Sequence, residues 1–177
     1  MVHYKTVYFD ARGLFEGTRL LLHYVGQDFE DVRLTIEEFA KIKPELKYGQ
    51  LPYLEVDGKK RLYQSATIAR YLAEKFGLAG KNEWERALDE LRKSVYEKVA
   101  PVQLPYYEHL LEESGSGFLV SSGVTFVDFI VADLLDNWSQ HAEPAILGDH
   151  PKLAEYVKRV YALPQLKDYL AKRTTPK

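Results

Sequence analysis

Between Tyr48 and Ser65 the chain reads Tyr-Gly-Gln-Leu-Pro-Tyr-Leu-Glu-Val-Asp-Gly-Lys-Lys-Arg-Leu-Tyr-Gln-Ser, and this order restricts the fold more than any other stretch. Two short β-type runs flank Asp57-Gly58, the turn pair of a tight hairpin, because Gly58 accepts positive φ without a Cβ clash. Pro52 stands at the entrance to the first strand, where its missing N–H does least harm. A cis Leu51-Pro52 bond would turn the Leu51 backbone toward an incoming extended peptide; the other reading is a plain hairpin followed by a surface helix. Ser65 precedes a helical pattern in which Ala69, Leu72, Ala73 and Phe76 recur at i, i+3, i+4 and i+7, so its hydroxyl is expected to cap that helix. The free N–H groups at such a helix start form a positive dipole end suited to a carboxylate.

The residues before this stretch complete a mixed sheet. His3 to Phe9 alternates as a strand, and a helical stripe of Thr18, Leu21, Leu22 and Val25 follows from Arg12 and stops at Gly26. Phe29 to Leu34 is a second strand. Thr35 and Glu38 then form a capping box that opens a short helix to about Glu45. The order β-α-β-α-β-β-α over residues 1–76, with helices expected on both faces of the sheet, is that of a thioredoxin-like α/β domain.

Residues 77–81 break the pattern and are read as a linker, and residues 82–177 read as an all-α helical domain. Asn82 and Glu85 offer a cap. Trp84, Leu88, Leu91 and Val95 form a stripe that Pro101 and Pro105 interrupt, so a continuous helix is not expected past Val99 or Ala100. A further helix is expected over 106–113. Thr125 and Asp128 then open a helix from Phe126 to Trp138 that is apolar on most sides, with Val124 and Phe129 as candidate staple residues, and Asp128 reads as structural. Pro151 suits a first helical position, and Pro164 restarts a last helix.

Composition narrows the function. With 24 basic and 26 acidic side chains the net charge is −2, which offers no general field for nucleic acid or anionic lipid. The chain has no cysteine, which removes disulfides, thiolate metal sites and a cysteine nucleophile. The histidines show no metal-ligand spacing. The N-terminus lacks the pattern of a secretory or transit peptide and no apolar run is long enough to span a membrane, so a cytoplasmic protein is expected.

Tyr8 ends the first strand at the carboxyl edge of the sheet, the usual place for ligands in open α/β sheets, and is the candidate catalytic hydroxyl. The alternative is a tyrosine packed at a strand end. Around it, Tyr4-Lys5, Tyr8-Phe9-Asp10, Arg12-Gly13 and Glu16 join Tyr48-Gly49-Gln50-Leu51-Pro52, Leu54-Glu55-Val56-Asp57-Gly58, Gln64-Ser65 and Ile68-Ala69-Arg70-Tyr71-Leu72. Gly117-Phe118-Leu119-Val120 and Thr125-Phe126-Val127-Asp128 follow. In this combination, over nearly its whole length, the chain resembles a cytosolic glutathione transferase of the sigma class, with the nematode enzymes nearest.

The resemblance implies a homodimer that joins glutathione, as co-substrate, to small hydrophobic electrophiles. It implies that Tyr8 hydrogen-bonds the glutathione sulfur and that Arg12 supports the thiolate field, although Arg12 is equally placed to pair with Glu16 along one helical turn. Gln64 and Ser65 would hold the γ-glutamyl carboxylate, and Leu51, before Pro52, would pair its backbone with the cysteinyl unit. Lys43 and Gln50 would reach the glycyl carboxylate, or else stand as solvated surface groups. Phe39 takes a place where the family often has Trp, and Leu14 one where a second Arg is common. Between about Ser94 and Tyr106 the chain is shorter than the family pattern by a sizeable part of two helices, and near Glu97 and Lys98 an acidic residue expected to reach across a dimer has no match. A non-enzymatic ligand carrier, a crystallin-like structural protein and a glutathione-dependent prostaglandin isomerase are the alternatives within the same fold.

Overall fold

The computed structural model describes residues 2–83, 85, 104–141 and 147–173. Four strands, β1 (Tyr4–Phe9), β2 (Phe29–Leu34), β3 (Tyr53–Val56) and β4 (Lys60–Tyr63), form one sheet in the order β2-β1-β3-β4. The β1–β2 pair is parallel, while β3 runs antiparallel to both β1 and β4. Alternation along β1 divides the two faces. Tyr4 and Tyr8 join Leu54, Leu20, Leu21, Ile68 and Leu72 in the main core, which places α1 (Glu16–Tyr24) and α3 (Ser65–Lys75) on one face. Val7 and Tyr53 pack with Phe39 and Ile42 of α2 (Ile36–Ile42) on the other.

Local chemistry accounts for most of the boundaries. The Thr35 hydroxyl accepts from the Glu38 N–H, and the Glu38 carboxylate accepts from the Thr35 N–H at 2.8 Å, which closes the capping box. The expected helix to Glu45 is divided, because Pro44 brings in a 3-10 turn over Lys43–Glu45 after α2 ends. In the hairpin, Asp57 and Gly58 take φ of 53° and 65°, both positive as a type I′ turn requires. The Leu51-Pro52 bond is cis.

The cap of α3 differs from expectation. Gln64, not Ser65, is the cap residue, with φ 71° and no side-chain cap hydrogen bond, and Ser65 is already the first residue of the helix. Gln64 must leave β4 and enter the helix in one step, and a left-handed backbone makes that turn without a polar cap.

Beyond α3, the described elements are helices: α4 (Leu104–Ser114), α5 (Phe126–His141), α6 (Pro151–Tyr161) and α7 (Lys167–Lys172). Trp84, the stripe of Leu88, Leu91 and Val95, and Pro101 lie outside the described residues, while Pro105 falls in the first turn of α4, where it is tolerated. Asn82 Oδ1 accepts from the Glu85 N–H at 2.9 Å, and the Glu85 carboxylate returns to the Lys81 N–H at 2.7 Å. Helix α5 is apolar on most sides because it lies between α1 and α6. A Cβ on Gly17 of α1 would stand 2.5 Å from Ile130 Cγ1 and 3.1 Å from its Cα, so these two helices meet backbone to backbone. No helix among the described residues is long and apolar enough to cross a membrane.

Asp128 fastens the start of α5. Fully buried, its carboxylate accepts from the backbone N–H groups of Leu119 (2.9 Å) and Thr125 (2.8 Å) and from the Tyr156 hydroxyl (3.0 Å). Asp128→Ala takes the acceptor from two buried amides and should cost about 3 kcal/mol or more of stability, with Asp128→Asn milder. Urea unfolding midpoints read both effects, and an unchanged midpoint for the alanine variant would show that the amides find other partners.

Candidate active site

The site forms where strand pairing stops. The β1–β3 ladder ends at Val7↔Tyr53, so Tyr8 stands one residue beyond it, and the chain entering β3 on that side is the cis Leu51-Pro52 pair. The Tyr8 ring is held between Phe9 and Phe15, each with its centroid 5.5 Å away, and the Arg19 guanidinium lies 5.9 Å from the ring centre. Its hydroxyl faces the turn after β1. There the Leu14 N–H donates to Tyr8 Oη at 3.4 Å, and a Cβ on Gly13 would stand 2.8 Å from the same oxygen. Gly13 has φ 40°, so both its backbone and its missing side chain serve this close approach. The sequence offers Gly13 only as part of the Arg12-Gly13 motif shortly after the strand, and neither its closeness to the hydroxyl nor the Leu14 amide could be read from it.

A chain of contacts leads from Tyr8 to the start of α3. Phe9 meets Phe39 edge-to-face at 5.1 Å, and Lys43 Nζ lies 5.8 Å from the Phe39 ring centre. Lys43 Cε comes within 3.7 Å of where a Gly49 Cβ would be, which sets the lysine stem beside the loop that carries Gln50. Gln64 Nε2 donates to Gln50 Oε1 at 3.2 Å, and Ser65 follows at the first helical position. Leu51 packs half-buried against both the main core and the Val7 cluster. Phe39, Lys43, Gln50, Leu51, Pro52, Gln64 and Ser65 therefore form one arc, with Tyr8 reached from Phe39 through Phe9. The positive φ of Gln64 is the kind of backbone strain that functional sites retain.

Arg12 is placed elsewhere. It is 4% exposed and turned into the seam between α1 and α5. Its Nε donates to Asp133 at 2.8 Å, its Nη2 reaches Asp133 as well as Asp136 at 2.8 Å, and the Tyr161 hydroxyl lies 3.2 Å from Nη2. Its ion pairs among the described residues are with these two aspartates, not with Glu16. Glu16 is fully buried and binds Arg19 and Arg173, each at 3.3 Å, and the Tyr169 hydroxyl at 2.7 Å. Arg12 thus anchors the turn that carries Gly13 and Leu14, and its charge is neutralised within the seam. Sequence spacing could not disclose partners so distant along the chain.

A four-stranded thioredoxin-like layer with a tyrosine at the carboxyl end of β1, a cis proline beside it and a helical part packed on one face describes a thiol-peptide enzyme architecture. Residues 5–74 match the family model described as glutathione S-transferase, N-terminal domain, and residues 76–173 match the C-terminal domain model. Glutathione S-transferase 1 of Ascaris suum is 39% identical over 203 aligned residues, covering 98% of each chain. That alignment is longer than the 177 residues of this chain, so the relative has positions with no counterpart here. The expected shortening between Ser94 and Tyr106 falls largely outside the described residues. A Nu-class structure from Haemonchus contortus matches with a TM-score of 0.89 and 35% identity over 100% of both chains. A monomeric structure from the hookworm Necator americanus matches with a TM-score of 0.87 and 33% identity over 99% of both. The chain belongs to the glutathione S-transferase family, and its relatives place it with the nematode type.

Two outcomes follow from this geometry. Gly13→Ala forces the Tyr8 hydroxyl aside and should lower glutathione-dependent turnover by about tenfold or more, with the KM for glutathione little changed. Steady-state kinetics decide it, and unchanged turnover would show that the phenol has room. Burial raises the Asp133 carboxyl from its ordinary 3.8 to about 6, opposed by Arg12 and reinforced by Glu16. A value raised by folding stabilises the folded chain fully below the ordinary value and is lost as pH climbs through about 6. The stability of the wild type relative to Asp133→Asn should therefore decline from about pH 4 to about pH 6.5, as urea unfolding at the two pH values would register.

Proposed function

We propose that the chain catalyses attack of the glutathione thiolate on small apolar electrophiles, with Tyr8 as the hydroxyl that stabilises the thiolate. The observation that carries this reading is the placement of Tyr8 at the end of β1, beside the cis Leu51-Pro52 bond and joined through Phe9 and Phe39 to the arc that ends at Ser65. One small tripeptide laid along that arc meets a different partner at each part. Its γ-glutamyl carboxylate takes the start of α3, where Gln64, the Ser65 hydroxyl and the free N–H groups favour negative charge. Its cysteinyl unit pairs with the Leu51 backbone, and its glycyl carboxylate meets Lys43 and Gln50.

The chemistry asks little of the protein beyond this. A free thiol has a pKa of about 8.5, and lowering it by about two units requires roughly 2.7 kcal/mol. One hydrogen bond to a charged partner supplies roughly 1.5–3 kcal/mol, so a single phenol suffices. Because the Leu14 N–H occupies the acceptor side of Tyr8 Oη, the phenolic hydrogen is free to point to the sulfur. The thiol proton leaves to solvent, the thiolate forms the new C–S bond, and the leaving group departs with the displaced electron pair. No covalent intermediate with the protein is needed. Leu14, 60% exposed beside this hydroxyl, gives the acceptor side an apolar lip.

The Tyr8-Phe9-Asp10 and Tyr48-Gly49-Gln50-Leu51-Pro52 stretches support placement in the sigma class. Use of a reduced thiol supports a cytoplasmic location, where the glutathione pool keeps thiols reduced. The exposed Tyr48 ring beside the site supports self-association into a homodimer. Tyr8→Phe should raise the pKa of the bound thiol and lower turnover by at least about tenfold, equal to about 1.4 kcal/mol. An unchanged pH–rate profile in that variant would remove Tyr8 from the reaction.

A further inference from the structure

Helix α7 lies far along the chain from the Tyr8 phenol, yet one of its side chains reaches the element that carries it. The segment is anchored first by Leu166, fully buried at the end of the 3-10 turn Pro164–Leu166. Tyr169 follows, its ring flat on His23 of α1 with centroids 4.0 Å apart and planes 21° from parallel. His23 meets Phe29 edge-on at 5.2 Å, so the imidazole is held on two sides. From this stack the Tyr169 hydroxyl donates to Glu16, the first residue of α1, at 2.7 Å.

Glu16 is fully buried, and a carboxylate removed from water needs both oxygens satisfied. Its Oε2 accepts from Arg19 Nη1 at 3.3 Å, and its Oε1 accepts from the Tyr169 hydroxyl and, at 3.3 Å, from Arg173 Nη1. The Tyr169 bond is the shortest of the three, and a hydroxyl donating to a carboxylate at such a distance is among the strong hydrogen bonds. Arg173 Nη1 is shared with Asp133, 3.2 Å away. Burial, reinforced by the Glu16 charge, raises the Tyr169 pKa against the opposing Arg19 and Arg33, so the phenol remains a donor at neutral pH.

Arg19 carries the contact onward to the candidate site. The same Nη1 that meets Glu16 donates to the Ala11 carbonyl at 2.7 Å, and Nη2 donates to the Phe9 carbonyl at 3.3 Å. The guanidinium lies 5.9 Å from the Tyr8 ring centre and 5.6 Å from that of Phe15. Asp31 holds Nε at 3.1 Å from the side of β2, so two carboxylates fix this cation from different directions. Without the Tyr169 hydroxyl, Glu16 Oε1 would keep only Arg173 among these partners, and the carboxylate would be free to swing toward it and away from Arg19. Displacing a reacting group by about 1 Å can cost about a hundredfold in rate.

We propose that Tyr169 is a positioning residue for the thiol reaction: through Glu16 and Arg19, its hydroxyl holds the turn after β1 in the orientation that points the Tyr8 phenol at the glutathione sulfur. This rests on the reading of Tyr8 given above.

The test is the pKa of the bound thiol, read from thiolate absorbance of the whole chain saturated with glutathione, together with the pH–rate profile for a neutral chromogenic electrophile. Tyr169→Phe keeps the ring on His23 and removes only the hydroxyl. It should raise the thiol pKa by about half a unit or more and lower turnover about threefold near pH 6, with the loss shrinking as pH rises and the KM for glutathione unchanged. In a Tyr8→Phe background the same substitution should leave the thiol pKa where it is, because its effect runs through Tyr8. An unmoved thiol pKa with equal loss of turnover at every pH would mark a structural role and overturn the proposal, as would a shift that persists without the Tyr8 hydroxyl. If Tyr8→Phe moves the thiol pKa and Tyr169→Phe does not, the positioning role alone falls; if Tyr8→Phe leaves it unmoved, the reading of Tyr8 falls and the proposal with it. The absorbance reports the folded fraction that binds glutathione, so a loss of stability in either variant does not mask the result.

Discussion

The salt-bridge cluster in the seam between α1 and α5 carries the arrangement of the rest. Glu16 and Arg19 are both fully buried, and Arg12 and Asp133 nearly so. Taking such charges out of water costs several kcal/mol per ion, and mutual attraction offsets this only when the geometry is well satisfied. Here it is. Arg19 also donates to the backbone carbonyls of Ala11 (2.7 Å) and Phe9 (3.3 Å), so one buried cation grips both ends of the turn after Tyr8. Arg12 ties the same turn to α5, and Arg173, just past α7, reaches Glu16 and Asp133. A docking even slightly displaced would leave buried charges unpaired. The helical part is therefore locked in register with the loop that holds the phenol.

Because of that lock, the Tyr8 hydroxyl, to which the proposed thiol chemistry is assigned, is held in one place. The phenol is positioned by rings on two sides, by a backbone amide and by a glycine with no side chain to obstruct it, and each of these belongs to an element held by the seam. Arg12 and Arg19, the arginines beside this turn, are committed to structural ion pairs. Among the described residues, the helical part bears on the candidate site by fixing the β1–α1 turn.

The sequence disclosed the fold well wherever the causes were local. The bounds of β2, the Thr35 capping box, the Asp57-Gly58 turn and the Pro151 helix start each follow from neighbouring residues, and each is found where expected. Gln64 was harder to read, because a residue with a Cβ at positive φ is unusual and Ser65 looked the better cap. A candidate site could be proposed from the sequence as a set of residue types, through the resemblance of its motifs to a family. Its wiring could not. Arg12 finds its partners more than a hundred residues away, and the contact of Gln50 with Gln64 depends on the path of the hairpin between them. Periodicity reveals which face of a helix is buried, but not which buried charges will meet.

The contact of Gly17 with Ile130 has a consequence for how this protein can change. Since the Ile130 backbone, with its Cα at 3.1 Å, crowds the space a Cβ would need as well as the side chain does, a change of isoleucine rotamer alone leaves a methyl group placed there in tight contact. Even an alanine acts as a wedge, parting the layer that holds the phenol from the helix that steadies it. The crossing of these two helices is thus a fixed pivot, and substitutions at loops and helix ends leave it undisturbed.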